Sequence, residues 1–401
     1  MFCFLSFYLY ICILEQNERF RNKYIIMNNK FYTLKEIKQQ PKLWNNIWKL
    51  IRKNKLPITN FLYPFNDCDV IFTGAGSSFF IGEIVAPVFQ KDTQLTTKAV
   101  STTEIVTHPL QYINPSKNTL LISFARSGDS PESLAAIKLA NQVSKNIKSL
   151  VITCNSNGAL AKIMNDEKNY SIVLPEEAND KSLAMTSSVT AMAIAAQLLG
   201  RLDKLEEEKE KIAIAANTIE SFFTNYDQSL RDIAKTTYDR AVFLGSGAMI
   251  GVAREAHLKL QELTDGEIIS KFDSFLGFRH GPKAVVNENT LIVYFFANDA
   301  YVRQYEFDLV KSIKKGQNPK LSIGIYNNDL PNDVKNSFDI AYPIHLDGKE
   351  IDEGYLSISS LVVAQLLATY KSLNLEYNPD SPSKSGAIHR VVQGVTIYNH
   401  I

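Results

Sequence analysis

The chain has 401 residues, 45% hydrophobic and 21% charged, which reads as globular, with length for two domains, and excludes a disordered or fibrous class. Lys and Arg number 43 against 42 Asp and Glu, a formal charge of +1 that gives no bulk attraction to nucleic acid or to an anionic membrane. Four scattered cysteines (Cys3, Cys12, Cys68, Cys154) and six histidines without ligand spacing exclude a disulfide framework and point to reduced thiols and no metal.

Residues 1–14 are almost wholly apolar but shorter than the roughly 20 residues of a membrane helix. Arg19, Arg21 and Lys23 follow this run, whereas a secretory signal carries its basic residues in front. The reading is a translation start at Met27, a non-native extension over residues 1–26, and a cytoplasmic protein with no stable membrane insertion.

Residues 33–36 (TLKE) have the form of a capping box that opens a helix. Pro41 is expected to interrupt it, and Trp44, Ile47, Trp48 and Ile51 then recur at helical spacing as a packing segment. From Asp69 the pattern changes. Three apolar runs (residues 70–72, 120–124 and 150–154) each end in a polar turn and lead into a helix. Ser130 stands at a helix N-cap with Pro131 at the first helical position. Strand, turn and helix in repetition predict parallel strands with crossover helices. Residues 203–232 read as a long helical connector whose run 206–211 (EEEKEK) is a solvated face. The segment from Arg240 to Gly251 then echoes the one from Asp69, again strand, Gly-x-Gly, helix. Further strands are expected at 291–296 and 321–325, and helices at 304–315 and 355–373. The fold class is α/β: two tandem flavodoxin-like domains, each a parallel sheet with helices on both faces, the second a diverged copy of the first. Their bounds are 33–200 (with the helical lead-in) and 238–377, with a connector at 203–235 and a tail at 378–401.

The third glycine of a dinucleotide fingerprint is Phe79 in the first copy and Ile250 in the second, and no GxxxxGK[ST] loop occurs, so neither nicotinamide nor ATP chemistry has support. The first domain instead places hydroxyls at strand carboxyl ends: Ser77 and Ser78 after Gly76, then Ser127 and Ser130. Ligands of open α/β sheets bind there, and helix N-termini favour anions. Such serines can equally serve as helix caps; two serine turns on neighbouring strands favour a phosphate. Thr186, Ser187 and Ser188 could add donors. The second domain lacks the serine pair and its second strand ends in Asn298-Asp299-Ala300, so one anion site per chain is expected. It carries the acid–base candidates: Glu262, with Glu255 seven residues earlier on the same helical face, and His280 in Phe278-Arg-His-Gly-Pro282. A single glutamate on a helix is usually solvated and a single histidine usually structural, so these two alone do not establish catalysis.

Together, residues 72–83 (FTGAGSSFFIGE), 122–133 (ISFARSGDSPES), 184–188 (AMTSS), 278–283 (FRHGPK) and 389–397 (HRVVQGVTI) resemble the double sugar-isomerase (SIS) domain family, specifically its AgaS branch. Members of that branch are tagatose-6-phosphate ketose/aldose isomerases or galactosamine-6-phosphate deaminases. The resemblance covers roughly residues 33–397 and nothing in 1–26. Similarity to the isomerase half of glucosamine-6-phosphate synthase implies phosphate and hydroxyl contacts from Ser77, Arg126, Ser127 and Ser130. It implies Glu262 as the base between C1 and C2, and His280 as the ring-opening group reaching into a partner subunit's site, hence a homo-oligomer. Ala125 and Arg126 stand where the synthase has a serine and a glutamine, and Gln393 where it has a lysine; Lys384 is nearby in sequence but has no claim to that role. The implied ligand is a hexose or 2-aminohexose 6-phosphate, converted to the ketose 6-phosphate with release of ammonia, without metal or redox cofactor. Plain aldose–ketose isomerisation uses the same residues, and a non-catalytic phosphosugar sensor is the reading of another class.

Overall fold

The computed structural model describes residues 30–63, 67–162, 166–316, 318–345, 348–392 and 394–399; the extension expected at 1–26 and Gln393 lie outside them. Helix α1 (Tyr32–Lys53) runs through Pro41 without a break. Proline has no N–H for the Ile37 carbonyl, and Gln40 Nε2 donates to that oxygen instead, at 3.0 Å. The expected interruption is therefore absent. So is the capping box. The helix N-terminus is capped across the chain by Asp380, whose carboxylate accepts from the Tyr32 and Thr33 N–H groups and the Thr33 hydroxyl. Glu36 faces residues 181–182, not its own helix end.

The first sheet takes β1 (Asp69–Gly74), α2 (Ser77–Thr93), β2 (Thr97–Ser101), β3 (Thr119–Ala125), α3 (Pro131–Val143), β4 (Ile147–Thr153) and β5 (Asn169–Val173), with strand order β2-β1-β3-β4-β5. Helices α4 (Ser187–Leu199) and α5 (Leu205–Ala234) lead to the second half. That half contains β6 (Arg240–Gly245), α6 (Ala248–Leu263), β7 (Ile269–Ser274), β8 (Thr290–Phe295), α7 (Ala300–Gly316), β9 (Leu321–Tyr326), β10 (Ile340–Pro343) and α8 (Glu353–Asn374). Its order is β10-β9-β8-β6-β7, and every neighbouring pair in both sheets is parallel. Read from the matching edge, both sheets follow the 2-1-3-4-5 order of flavodoxin-like folds. The tandem α/β architecture expected from the sequence is the one found.

Side chains of each strand alternate between two cores. On β3, Leu121 packs outward against Ile137 and Ala140 of α3, while Leu120, Ile122 and Phe124 face inward. On β8, Ile292 and Tyr294 pack outward against Leu309, Val310 and Ile313 of α7, while Leu291, Val293 and Phe295 face inward. The two inward faces share one continuous core, filled by α1, α2, α4, α5, α6 and α8. Helix α8 is apolar on all sides because it is enclosed on all sides. Among the described residues it is the one helix long and apolar enough to cross a membrane, and it is 94% buried within the protein. The run 206–211 is not wholly solvated: Glu208 is 1% exposed, accepting from Arg201, Lys211 and Tyr355. Three donors on one carboxylate are what make its burial tolerable.

Candidate active site

Two turns at the carboxyl ends of β1 and β3 lie side by side, since these strands are neighbours in the sheet. The first turns at Gly76 (φ 56°, ψ −129°), a conformation that needs glycine. It enters α2 with Ser77 and Ser78, 4% and 7% exposed. The second covers residues 126–130, with Gly128 at φ 73°, and enters α3 behind Ser130. Ser127 and Ser130 are half-buried. Ser130 occupies the N-cap position, but its hydroxyl pairs with Ser133 Oγ (2.5 Å) and makes no cap bond to the backbone.

Arg126 is 6% exposed. Its Nη1 donates to Ser182 O (3.2 Å) and Leu183 O (2.9 Å), its Nη2 to Arg390 O (2.8 Å). It therefore straps the 182–183 loop and the C-terminal tail to the end of β3. Burial pulls its pKa down and neighbouring Arg390 adds to that, while Asp180 and Glu262 oppose it. The 178–188 loop is held by two buried carboxylates. Glu36 accepts from Lys181 N–H and Ser182 Oγ, both at 2.5 Å; burial, then the proximity of Asp180, pushes its pKa up to about 7. Asp180 accepts from the N–H groups of Thr186, Ser187 and Ser188 and from the Thr186 and Ser188 hydroxyls. The Ser187 hydroxyl donates to Glu36 O at 2.6 Å. The N-terminus of α4 thus already holds an anion supplied by the protein. Thr186 and Ser187, expected as ligand donors, are both fully buried with their N–H groups committed to this cap, and the neighbouring Met185 sulfur lies 3.9 Å from the Ser78 hydroxyl, so the segment borders the first serine turn.

The second half reaches these turns through α6, which crosses α2 at Gly251. A Cβ there would stand 2.5 Å from the Ile84 backbone nitrogen and 2.7 Å from the Glu83 carbonyl carbon, so only glycine allows this approach. One turn further, Glu255 is fully buried beside Ser77. Its pKa is pushed up to about 7 by burial, against the pull of Lys259. The Lys259 ammonium, also fully buried, stands 3.5 Å from Glu255 Oε1 and in direct contact with Glu262 Oε2. Burial opposes its charge, and the two carboxylates more than restore it, so its pKa is raised. Glu262 alone of the three keeps exposure, 23% of its side chain. Two sequence-predicted groups, Ser77 and Glu262, are thus linked through Glu255 and Lys259.

Lys259 was missed by the sequence reading. Its signal was the i, i+4 and i, i+3 spacing to Glu255 and Glu262, which on an isolated helix reads as ordinary surface pairing. His280 stands elsewhere. It follows the short helix Phe275–Phe278, is exposed, and its ring makes no hydrogen bond or ion pair among the described residues. A cavity of about 850 Å³ lined by Asn118, Lys145, Lys148 and Lys168 opens at the opposite, amino-terminal end of the first sheet. Ligands of such sheets do not bind at that end.

The chain is similar to known proteins over most of its length. The SIS domain family model matches residues 66–201. The D-galactosamine-6-phosphate deaminase AgaS of Shewanella sp. (strain ANA-3) is 37% identical over 376 residues, covering 92% of each chain. The crystal structure of tagatose-6-phosphate ketose/aldose isomerase from Escherichia coli is similar with a TM-score of 0.83 at 33% identity, covering 92% of this chain and 96% of that one. A Clostridium novyi NT protein of solved structure reaches a TM-score of 0.85 at 38% identity, covering 92% and 95%.

Proposed function

Since the chain belongs to the AgaS family of double sugar-isomerase proteins, we propose that it deaminates and isomerises a 2-amino-2-deoxyhexose 6-phosphate, galactosamine 6-phosphate being the leading substrate. The observation that carries this reading is the run of contacts from Ser77 through Glu255 and Lys259 to Glu262, which links a serine turn of one half to the acid–base group of the other. The 126–130 and 76–78 turns hold the phosphate, with Ser127 and Ser130 as accessible hydroxyls. Glu262, in contact with Lys259, removes the proton from C2. The C2–H electrons form the C1–C2 enolamine and the proton is delivered to C1. The resulting imine at C2 takes up water and releases ammonia, leaving the ketose 6-phosphate. Each acid–base step of this kind contributes about 10²–10⁴-fold.

Residues 33–200 grip the phosphosugar, 238–377 supply the acid–base groups, and 203–235 connect them. His280, exposed and without a hydrogen bond or ion pair among the described residues, opens the sugar ring in the site of a second subunit, which makes the protein a homo-oligomer with shared sites. The compartment is the cytoplasm, where phosphorylated sugars are made and kept. The test is ammonia release from galactosamine 6-phosphate by the wild type and Glu262→Gln. Undiminished release by the variant removes Glu262 from the role. Interconversion of tagatose 6-phosphate with its aldose 6-phosphate, with no ammonia released from the amino sugar, favours plain isomerisation, the activity that the Escherichia coli structure is named for.

A further inference from the structure

The second sheet has the same topological switch point as the first. In the first it lies between β1 and β3, in the second between β6 and β8, and in both it is the crevice where open α/β sheets take ligands. The turns feeding these crevices are copies in backbone conformation. Gly76 has φ 56° and ψ −129°, Gly247 has φ 56° and ψ −126°. Gly74 and Gly245, which end the two strands, are both pressed against the following helix, with a virtual Cβ 2.5 Å from the Ser78 carbonyl carbon and 2.1 Å from the Met249 oxygen. A long helix starts at each turn and points its N–H groups into the crevice.

The contents of the crevices differ. Seven residues past the N-cap Ser130, α3 carries Ile137, which packs into the outer core of the first sheet. Seven residues past Asp299, α7 carries Glu306, fully buried. Glu306 Oε2 accepts from the Ala297 N–H at the end of β8 (3.1 Å), and the Ser246 hydroxyl of the β6 turn stands beside the carboxylate. Oε1 is buried with no hydrogen-bonded partner. A buried carboxylate with a free oxygen, aimed into a helix-N-terminal turn, occupies the place of a bound anion. Burial pushes its pKa up to about 7, with Ser246 and the Ala297 N–H pulling it back, so above neutral pH it is charged.

We propose that the β6–β8 crevice is a second oxyanion cradle of the same build as the first, closed by the chain's own Glu306 carboxylate where a phosphate or carboxylate ligand would otherwise sit. This rests on reading the β1–β3 turns as a phosphate cradle. It explains why one chain offers one phosphosugar site although it contains two copies of the fold. It also gives Glu306 a task, since an anion at the N-terminus of α6 anchors the helix that carries Glu255, Lys259 and Glu262.

Removal of the side chain should open the cradle to a free anion. The melting temperatures of the wild type, Glu306→Ala and Glu306→Gln are compared at pH 8 in chloride, acetate and inorganic phosphate of equal ionic strength. Acetate is the group that the alanine variant lacks. Glu306→Ala should show a saturable rise of about 2–4 °C in acetate, and again in phosphate, beyond any rise of the wild type. Glu306→Gln, whose amide still fills the crevice, should respond like the wild type. An alanine variant no more anion-responsive than the wild type overturns the inference, as does a glutamine variant that responds like alanine. If Glu306→Ala does not fold in chloride, folding in acetate supports the inference and folding in neither overturns it. Failure of the first-domain reading shows separately, as a wild type that phosphate does not stabilise at all.

Discussion

Replacing Gly251 by alanine adds one carbon where α6 crosses α2, 2.5 Å from the Ile84 nitrogen and 2.7 Å from the Glu83 carbonyl carbon. Both atoms are backbone, so no rotamer change relieves the clash; the helices must part by about 1 Å to reach ordinary contact near 3.5 Å. Overpacking of this kind costs about 1–3 kcal/mol, and alanine returns up to about 1 kcal/mol through its better helix propensity. A net loss of roughly 1–2 kcal/mol in urea unfolding is expected. The effect on turnover should be larger. Glu255 and Glu262 lie four and eleven residues beyond Gly251 on the same helix, and a misplacement of 1 Å relative to the bound sugar costs about 10²-fold. Ammonia release from galactosamine 6-phosphate should fall by that order, with KM less affected because the phosphate turns belong to the other half. Gly316→Ala, at a glycine with nothing within 4 Å of its virtual Cβ, is the control and should stay within about 0.5 kcal/mol of wild type. A Gly251→Ala variant that is both fully active and more stable refutes the claim that this contact sets the distance between base and phosphate.

Lys259→Met leaves Glu255 buried without its counter-charge and should cost about 3–5 kcal/mol at pH 8 and less at pH 6, where Glu255 takes up a proton; a cost that shrinks toward pH 8 contradicts the pairing. The Glu255 pKa of about 7 lies above the usual 4.5, so its contribution to stability is present below about pH 4.5 and lost as pH rises through 7. Glu255→Gln does not titrate, and its stability relative to wild type should improve by up to about 3 kcal/mol between pH 4.5 and 8; parallel pH curves would exclude this. Thr186→Ala removes one of five donors to Asp180 and should lower stability by about 1–2 kcal/mol with KM unchanged; a several-fold rise in KM would return that hydroxyl to the substrate. Glu262→Gln and His280→Ala should each be inactive alone, yet regain about a quarter of wild-type activity when subunits are mixed equally, because one site of each mixed dimer is intact. No recovery on mixing argues for His280 acting within its own chain or not at all.

The central strands were legible and the edge strands were not. Strands β1, β3, β4, β6, β8 and β9 are apolar runs because both faces of each are covered, and all six were anticipated. Strands β2, β5, β7 and β10 close the sheets at their edges. Their sequences (TKAVS, NYSIV, ISKFDS, IAYP) mix polar and apolar residues because one side meets solvent, and none was anticipated. In the site, the serine turns and Glu262 could be found because their meaning is local, a turn after a strand or a carboxylate on a helix. The roles of Glu36, Asp180 and Asp380 could not. Glu36 reaches residues 181–182 from 145 positions away, and Asp380 caps a helix that starts 348 positions earlier. The capping-box reading of residues 33–36 failed for that reason, since a tertiary partner displaced the local one.

The charge arrangement explains how so buried a cluster remains suited to a dianion. Arg126 donates to three backbone carbonyl groups, and Arg390 to Asp180 O and Asn179 Oδ1; neither forms an ion pair among the described residues. Carbonyls satisfy the N–H groups of a guanidinium but leave its net charge in place. The negative charge of Glu262 nearby is matched at contact by Lys259, while Asp180, which forms no ion pair among the described residues, acts on Arg126 more strongly. Under the proposed function, Arg126 and Arg390 would be the two cations that favour a phosphate positioned by Ser127 and Ser130. Had Arg126 been paired with a carboxylate, the phosphate would have had to displace that partner. Under the proposed function, Arg126, where the resemblance places a glutamine in the synthase, would add a charged group beside the bound phosphate.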